Sequence, residues 1–125
     1  MDPIADMLTT IRNNMAAGKS DAVFGYSKLK VAVLDILQKK GIVLGYKIET
    51  EDNKKHIVCN IVTGRAPYHM KRISKPGRKI YVKSRDIKSP LSGLGFIIIS
   101  TPKGLLTGSE AKKVGLGGEL ICEVW

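Results

Sequence analysis

Phe96-Ile97-Ile98-Ile99-Ser100-Thr101-Pro102-Lys103-Gly104 decides how the second half of this chain folds. An aromatic followed by three β-branched isoleucines reads as a strand near the centre of a sheet. The Ser-Thr-Pro-Lys-Gly segment that ends it has the small, hydroxylated and glycine residues of a turn. Downstream, Thr107-Gly108-Ser109-Glu110 fits a capping box, with Thr at the cap and Glu three residues on. The helix it opens is short, because Gly115 follows soon, and Leu120 to Trp125 forms a last strand. Upstream, Arg85 to Gly95 is irregular. Residues 68–74 and 78–82 read as the two strands of a hairpin around Lys75-Pro76-Gly77, with a positive φ expected at the Gly.

The first half has a different rhythm. Asp2-Pro3 is a helix start, since Asp caps free N–H groups and Pro is tolerated at the first helical position. Ile4, Met7, Leu8, Ile11 and Met15 then recur at helical spacing, and Gly18 is the expected stop. Ala22 to Tyr26 reads as a short strand. Ser27 caps a second helix with Leu29, Val33, Ile36 and Leu37 on its inner face, ended by Gly41. Residues 42–50 and 56–62 read as strands joined by the turn Glu51-Asp52-Asn53-Lys54-Lys55. The fold class is therefore α+β in two small modules. Residues 1–64 form an α-β-α-β-β module, and residues 65–125 form a mostly antiparallel β module with one short helix. Gly64 to Pro67 is the linker.

Charge is unevenly shared. The net charge is +10 over 125 residues. Between Arg65 and Lys88, nine lysines and arginines face the single carboxylate of Asp86. Residues 1–64 carry a net +2 and residues 65–125 a net +8. Such concentrated charge implies a polyanionic partner, and beside hydroxyl and glycine residues it suits RNA. An aromatic content of 6% leaves room for one or two stacking residues, not a broad stacking platform. No uninterrupted apolar run exceeds the four residues of Phe96 to Ile99, far too few to span a membrane, and no signal peptide is expected. Cys59 and Cys122 each sit in an apolar, strand-like run and read as buried free thiols of a reducing, cytoplasmic compartment.

Catalysis finds little support. His56 and His69 lie in no nucleophile or zincin pattern. His56 and Cys59 fall on opposite faces of a strand, and two further metal ligands are missing. Neither Gly93-Leu94-Gly95 nor Gly115-Leu116-Gly117-Gly118 has the context of a dinucleotide fingerprint, and there is no phosphate loop. No enzyme activity, cofactor or metal is expected.

Binding has two candidate constellations. In Arg72-Ile73-Ser74-Lys75-Pro76-Gly77-Arg78-Lys79-Ile80-Tyr81, the isoleucines can face the core while Arg72, Lys75 and Arg78 reach phosphates. Tyr81 offers a ring and a hydroxyl to a sugar or an unstacked base. The bland alternative is a solvated edge hairpin whose lysines prevent aggregation. Ser100-Thr101-Pro102-Lys103-Gly104 offers hydroxyls, a lysine and a close-approaching backbone, although alone it is an ordinary turn.

These residues also carry a resemblance. Asp2 to Thr9, Ile11-Arg12-Asn13, Ser27-Lys28-Leu29-Lys30 and Arg72-x-Ser74-x-Pro76-Gly77-x-x-Ile80-Tyr81 are similar to the bacterial-type family of small-subunit ribosomal protein eight. So are Gly93-Leu94-Gly95 with Ser100-Thr101-x-Lys103-Gly104, Thr107 with Glu110-Ala111, and Gly117-Gly118-Glu119-x-Ile121-Cys122-x-Val124-Trp125. The match runs in order from residue 2 to residue 125. It implies a primary binder of the central domain of small-subunit ribosomal RNA, acting early in assembly beside other small-subunit proteins. It also implies repression of its own operon mRNA. The family's contacts, carried over by motif, are Ser100, Thr101, Tyr81 and Glu119, with Lys103 in the same loop. Lys28 and Lys30 would hold phosphates from the first module, with Arg12 and Asn13 as further candidates. Glu119 makes sense beside RNA only as an acceptor from a base amine, a 2′-hydroxyl or a nearby cation.

One position departs from the family. Where its loop has a third hydroxyl residue, this chain has Pro102, which offers neither a hydroxyl nor an N–H. The expectation is that Ser100 and Thr101 keep their contacts while the RNA opposite Pro102 differs or is bridged by water. Two other readings stay open. A regulator of mRNA outside the ribosome would not copurify with subunits, and a small nucleotide-acting enzyme would need an acid–base pair or a metal.

Overall fold

The computed structural model describes residues 2–88 and 93–125. The chain divides into two compact units. One is Asp6–Pro67; the other is Tyr68–Trp125 joined by the N-terminal residues through Ala5. Both are α+β, built on antiparallel sheets.

Helix α1 spans Pro3–Ala16. Asp2 Oδ1 accepts from the N–H groups of Ile4 at 3.2 Å and Ala5 at 3.3 Å, which supplies the cap expected of that residue. Strand β1 is Asp21–Gly25, helix α2 is Lys28–Lys39, and strands β2 and β3 are Val43–Glu51 and Lys54–Ile61. The sheet order is β1-β3-β2. Ala22, Phe24, Ile57, Cys59 and Ile61 alternate inward and are buried, as are Met7, Leu8, Ile11 and Met15 of α1. Ser27 Oγ accepts from the Lys30 N–H at 3.1 Å and caps α2. The inner face of α2 is Val33, Leu34, Ile36 and Leu37. Leu29, expected there, is 40% exposed: it sits in the first turn, ahead of the buried stripe. The β2–β3 hairpin closes on two residues rather than five. Asp52 and Asn53 take φ of 50° and 62°, and Glu51 pairs with Lys54. Asp and Asn tolerate the left-handed region, and a turn of this hand matches the twist of the strands it joins.

In the second unit, β4 is Met70–Arg72, β5 is Tyr81–Val82, β6 is Phe96–Thr101, β7 is Gly104–Thr107, α3 is Gly108–Val114 and β8 is Gly118–Val124. The order is β4-β8-β6-β7, with β5 also paired to β8. Residues 68–74 and 78–82 are therefore not partners in a hairpin. Arg72 pairs with Cys122 and Tyr81 with Glu119, so the two segments lie end to end along one edge of β8. The Ser74 side chain and the bridge between Lys75 and Arg78 join them, and Gly77 is not in the left-handed region. The apolar edge of β8 takes the hydrogen bonds that a hairpin would have used internally. Strand β7 was not foreseen. In the expected irregular stretch Arg85 to Gly95, Ser84–Asp86 forms a single 3₁₀ turn, and residues 89–92 lie outside the described ones.

The capping box at Thr107 forms as expected. Glu110 N–H donates to Thr107 Oγ1 at 3.3 Å, and Thr107 N–H donates to Glu110 Oε1 at 3.0 Å. One face of the sheet packs Ile97 and Ile99 against Ala111 of α3 and Ile87, with Val82, Leu106 and Leu120 around them. Helices α1, α2 and α3 are each followed by a left-handed glycine: Gly18, Gly41 and Gly115, with φ of 74°, 78° and 72°. A residue with a Cβ is disfavoured at each.

Candidate nucleic-acid interface

Strand β8 carries a bulge that arranges the site. Ile98 pairs with Cys122, but Ile99 pairs with Leu120, so Ile121 is an extra residue on β8. Beyond the bulge Ser100 pairs with Glu119, and Glu119 pairs on its other side with Tyr81. Directly opposed residues of antiparallel strands project to one face. Tyr81, Glu119 and Ser100 therefore form a single row across β5, β8 and β6. Tyr81 is 67% exposed, while Glu119 and Ser100 are half-buried. The row offers a ring, a carboxylate and a hydroxyl, a set able to recognise a ribose or a base edge.

The strands approach closely here because β8 enters on glycines. A Cβ on Gly118 would collide with the carbonyl oxygen of Ser100, and one on Gly117 with the carbonyl oxygen of Val82. Sequence reasoning matched these glycines only through the family motif. Their packing role depends on strand partners that the local sequence does not name.

The turn after Ser100 is closed by Thr101. It pairs with Gly104 across the corner residues Pro102 and Lys103. Thr101 Oγ1 donates to the Gly104 carbonyl at 2.8 Å and accepts from the Lys103 N–H at 3.1 Å. Its side chain is buried, so the structure places this hydroxyl inside the turn, while Pro102 and Lys103 are exposed at the tip.

On the outer edge of β8, Arg72 is held in place. Its Nε donates to Asp2 Oδ2 at 3.0 Å and its Nη1 to the Ile121 carbonyl at 2.7 Å. The guanidinium thus braces the bulged residue and the N-terminal cap. Lys75 and Arg78 are exposed on the loop beyond.

In the other unit, Lys28 and Lys30 open α2. Lys28 is exposed, and Lys30 Nζ donates to the Gly25 carbonyl at 2.9 Å. Arg12 is half-buried and Asn13 exposed on the last turns of α1. Lys55 Nζ stands 5.1 Å from the centre of the Tyr26 ring beside the start of α2, a cation–aromatic pair that sequence reasoning missed. Only their cross-strand register brings Tyr26 and Lys55 together: the Tyr26 N–H donates to the Lys55 carbonyl.

Both cysteines are buried free thiols. Burial pushes the Cys59 thiol up to about 11 and the Cys122 thiol up to about 12, the latter despite the opposing influence of Arg72. Tyr46 is also raised to about 12, chiefly because its hydroxyl donates to Asp35 Oδ1 at 2.6 Å. Among the described residues, no cluster of three or more His, Cys, Asp or Glu side chains is placed to hold a metal ion. Among the described residues, no helix is long and apolar enough to cross a membrane.

The model of the family described as ribosomal protein S8 matches residues 2–125. The chain belongs to that family. The small ribosomal subunit protein uS8 of Streptomyces griseus is 44% identical over 128 residues, covering 99% of this chain and 97% of that protein. Proteins of the same name from Thermus aquaticus and Cereibacter sphaeroides are each 42% identical, covering 99% of this chain and at least 97% of their own. The row and the paired glycines beside it thus sit in an S8-family chain aligned over nearly its whole length.

Proposed function

We propose that this protein is a structural, non-catalytic constituent of the small ribosomal subunit in the cytoplasm. It binds the central domain of small-subunit ribosomal RNA and supports subunit assembly beside neighbouring proteins. The observation that carries the reading is the row Tyr81–Glu119–Ser100, with Tyr81 exposed, in the more basic half of an S8-family chain. A-form RNA hides its base edges in a deep, narrow major groove, so recognition falls on irregular or widened minor grooves and unstacked bases. In this reading Tyr81 stacks on a sugar or base, Ser100 donates or accepts at a base edge, and Glu119 accepts from an amine or 2′-hydroxyl. Lys103, Lys75 and Arg78 approach phosphates. Thr101 contributes by fixing the turn and Arg72 by bracing β8. Lys28 and Lys30 hold phosphates from the α-β-α-β-β module, with Arg12 and Asn13 of α1 as further contacts. Repression of its own operon mRNA follows if that message presents the same RNA shape.

The test is filter binding of refolded ribosomal RNA fragments across a salt series, with a scrambled hairpin as control. Saturable binding to one central-domain fragment, far above the control at physiological salt, is expected. Tyr81→Ala should weaken cognate binding by about 1–3 kcal/mol and lower the cognate-to-scrambled ratio. An unchanged ratio would remove Tyr81 from the recognition surface.

A further inference from the structure

The loop between β4 and β5 encloses a cleft of about 250 Å³ lined by Lys71, Arg72, Ile73, Lys75, Arg78 and Ile80. Its walls are fixed by the chain itself. Ser74 is fully buried; its Oγ accepts from the Ile80 N–H at 2.8 Å and donates to the Ile80 carbonyl at 3.2 Å. Beyond this staple, Lys75 and Arg78 exchange both backbone hydrogen bonds, at 3.0 Å and 2.9 Å. Residues bridged in this way project side by side. Two exposed cations are thus held as neighbours over a partly apolar lining of Ile73 and Ile80. Like charges so placed repel unless an anion joins them, and among the described residues no carboxylate pairs with Lys71, Lys75 or Arg78. The guanidinium of Arg72 also lines the cleft, paired with Asp2.

We infer that this cleft is a preformed site for one phosphodiester of an RNA backbone, bound without regard to sequence. The argument rests on the reading of the protein as an RNA binder and divides that surface in two. The row Tyr81–Glu119–Ser100 carries hydrogen-bonding groups suited to base and ribose edges. The cleft has cations for a phosphate and an apolar lining for the adjoining sugar, but no aromatic ring and no carboxylate among its lining residues. Contacts of that kind position an RNA and do not specify it.

The experiment has two arms on the full chain. In the first, inorganic phosphate is titrated into the ¹⁵N-labelled protein. Saturable amide shifts confined to residues 71–80, absent in a Lys75→Ala/Arg78→Ala double variant, are expected. In the second, the same variant is assayed against cognate and scrambled RNA. Affinity should fall by the same factor for both, and the slope of log affinity against log salt should drop by about 0.7 to 0.9 units, the share of one phosphate. A Lys75→Arg/Arg78→Lys variant should restore both readouts, and matching urea midpoints show that the fold is kept. Phosphate shifts spread over lysines of the whole surface, or none, would overturn the preformed site. Phosphate binding with RNA affinity and salt slope unchanged would overturn the RNA assignment, leaving a site for free phosphate. The Tyr81→Ala ratio reports on the row alone, so the two readings fail separately.

Discussion

Arg72 and Asp2 form a half-buried ion pair in which the carboxylate does two jobs. Oδ2 takes Arg72 Nε at 3.0 Å while Oδ1 caps the first turn of α1. Arg72→Ala removes the pair and leaves the Ile121 carbonyl without its 2.7 Å donor. The expected loss is about 2–3 kcal/mol. Urea denaturation measures it, with Lys75→Ala as a surface control that stays within about 0.5 kcal/mol of wild type. Equal midpoints for the two variants would mean that the brace carries no stability.

Gly118 is a packing position. An added Cβ meets the backbone of Ser100, which no rotamer change can relieve. Gly118→Ala should cost about 3 kcal/mol or more. Gly45→Ala, in β2 with nothing within 4 Å of an added Cβ, should stay within about 0.5 kcal/mol. Thermal melts of the two single variants decide this.

The buried thiols tie stability to alkaline pH. In the unfolded chain they ionise near their ordinary value of 9.0, but in the folded protein only near 11 for Cys59 and 12 for Cys122. Above pH 9 the unfolded state therefore binds fewer protons than the native state. Stability is fully present below that pH and falls as pH rises, by about 1.4 kcal/mol per unit for each thiol. Urea midpoints taken from pH 8 to 10.5 should show the decline. In Cys59→Ala the decline should be shallower by one thiol's share, and an identical slope would place the Cys59 thiol in contact with water.

Thr101 and Tyr81 should separate stability from recognition. Thr101→Ala removes both hydrogen bonds that close the β6–β7 turn and should cost about 1–2 kcal/mol of stability. Tyr81→Ala truncates a ring that is 67% exposed and should leave the urea midpoint nearly unchanged while altering RNA discrimination. If Thr101→Ala left stability intact but lost discrimination, its hydroxyl would belong to the RNA rather than to the turn.

What the sequence announced was local. Caps at Asp2, Ser27 and Thr107 and stops at Gly18, Gly41 and Gly115 involve residues within a few positions of one another, and each stands where it was expected. Partner choice was hidden. Lys75-Pro76-Gly77 signals a turn but cannot say that the flanking segments prefer β8, some forty residues on, to each other. For the same reason Arg72 and Thr101 looked available as exposed contacts: Arg72 is bound to Asp2 and Ile121, remote in sequence, and Thr101 to the far side of a hairpin whose second strand, β7, carried no strong signal. The members of the row were named from the motif, but their alignment depends on the bulge, which no periodicity records.

That bulge makes the interface a matter of parity. In a regular ladder with Ile121 opposite Ile99, Leu120 would stand beside Ser100 and Glu119 would turn toward α3. One supernumerary residue, Ile121, reverses this, sending Leu120 into the apolar layer and Glu119 out beside Ser100 and Tyr81. Pairing Ile121 in register with Ile99 would change no side chain, yet it would swap the inside and the outside of the strand's first half. What the protein can recognise is thus set as much by an integer as by chemistry.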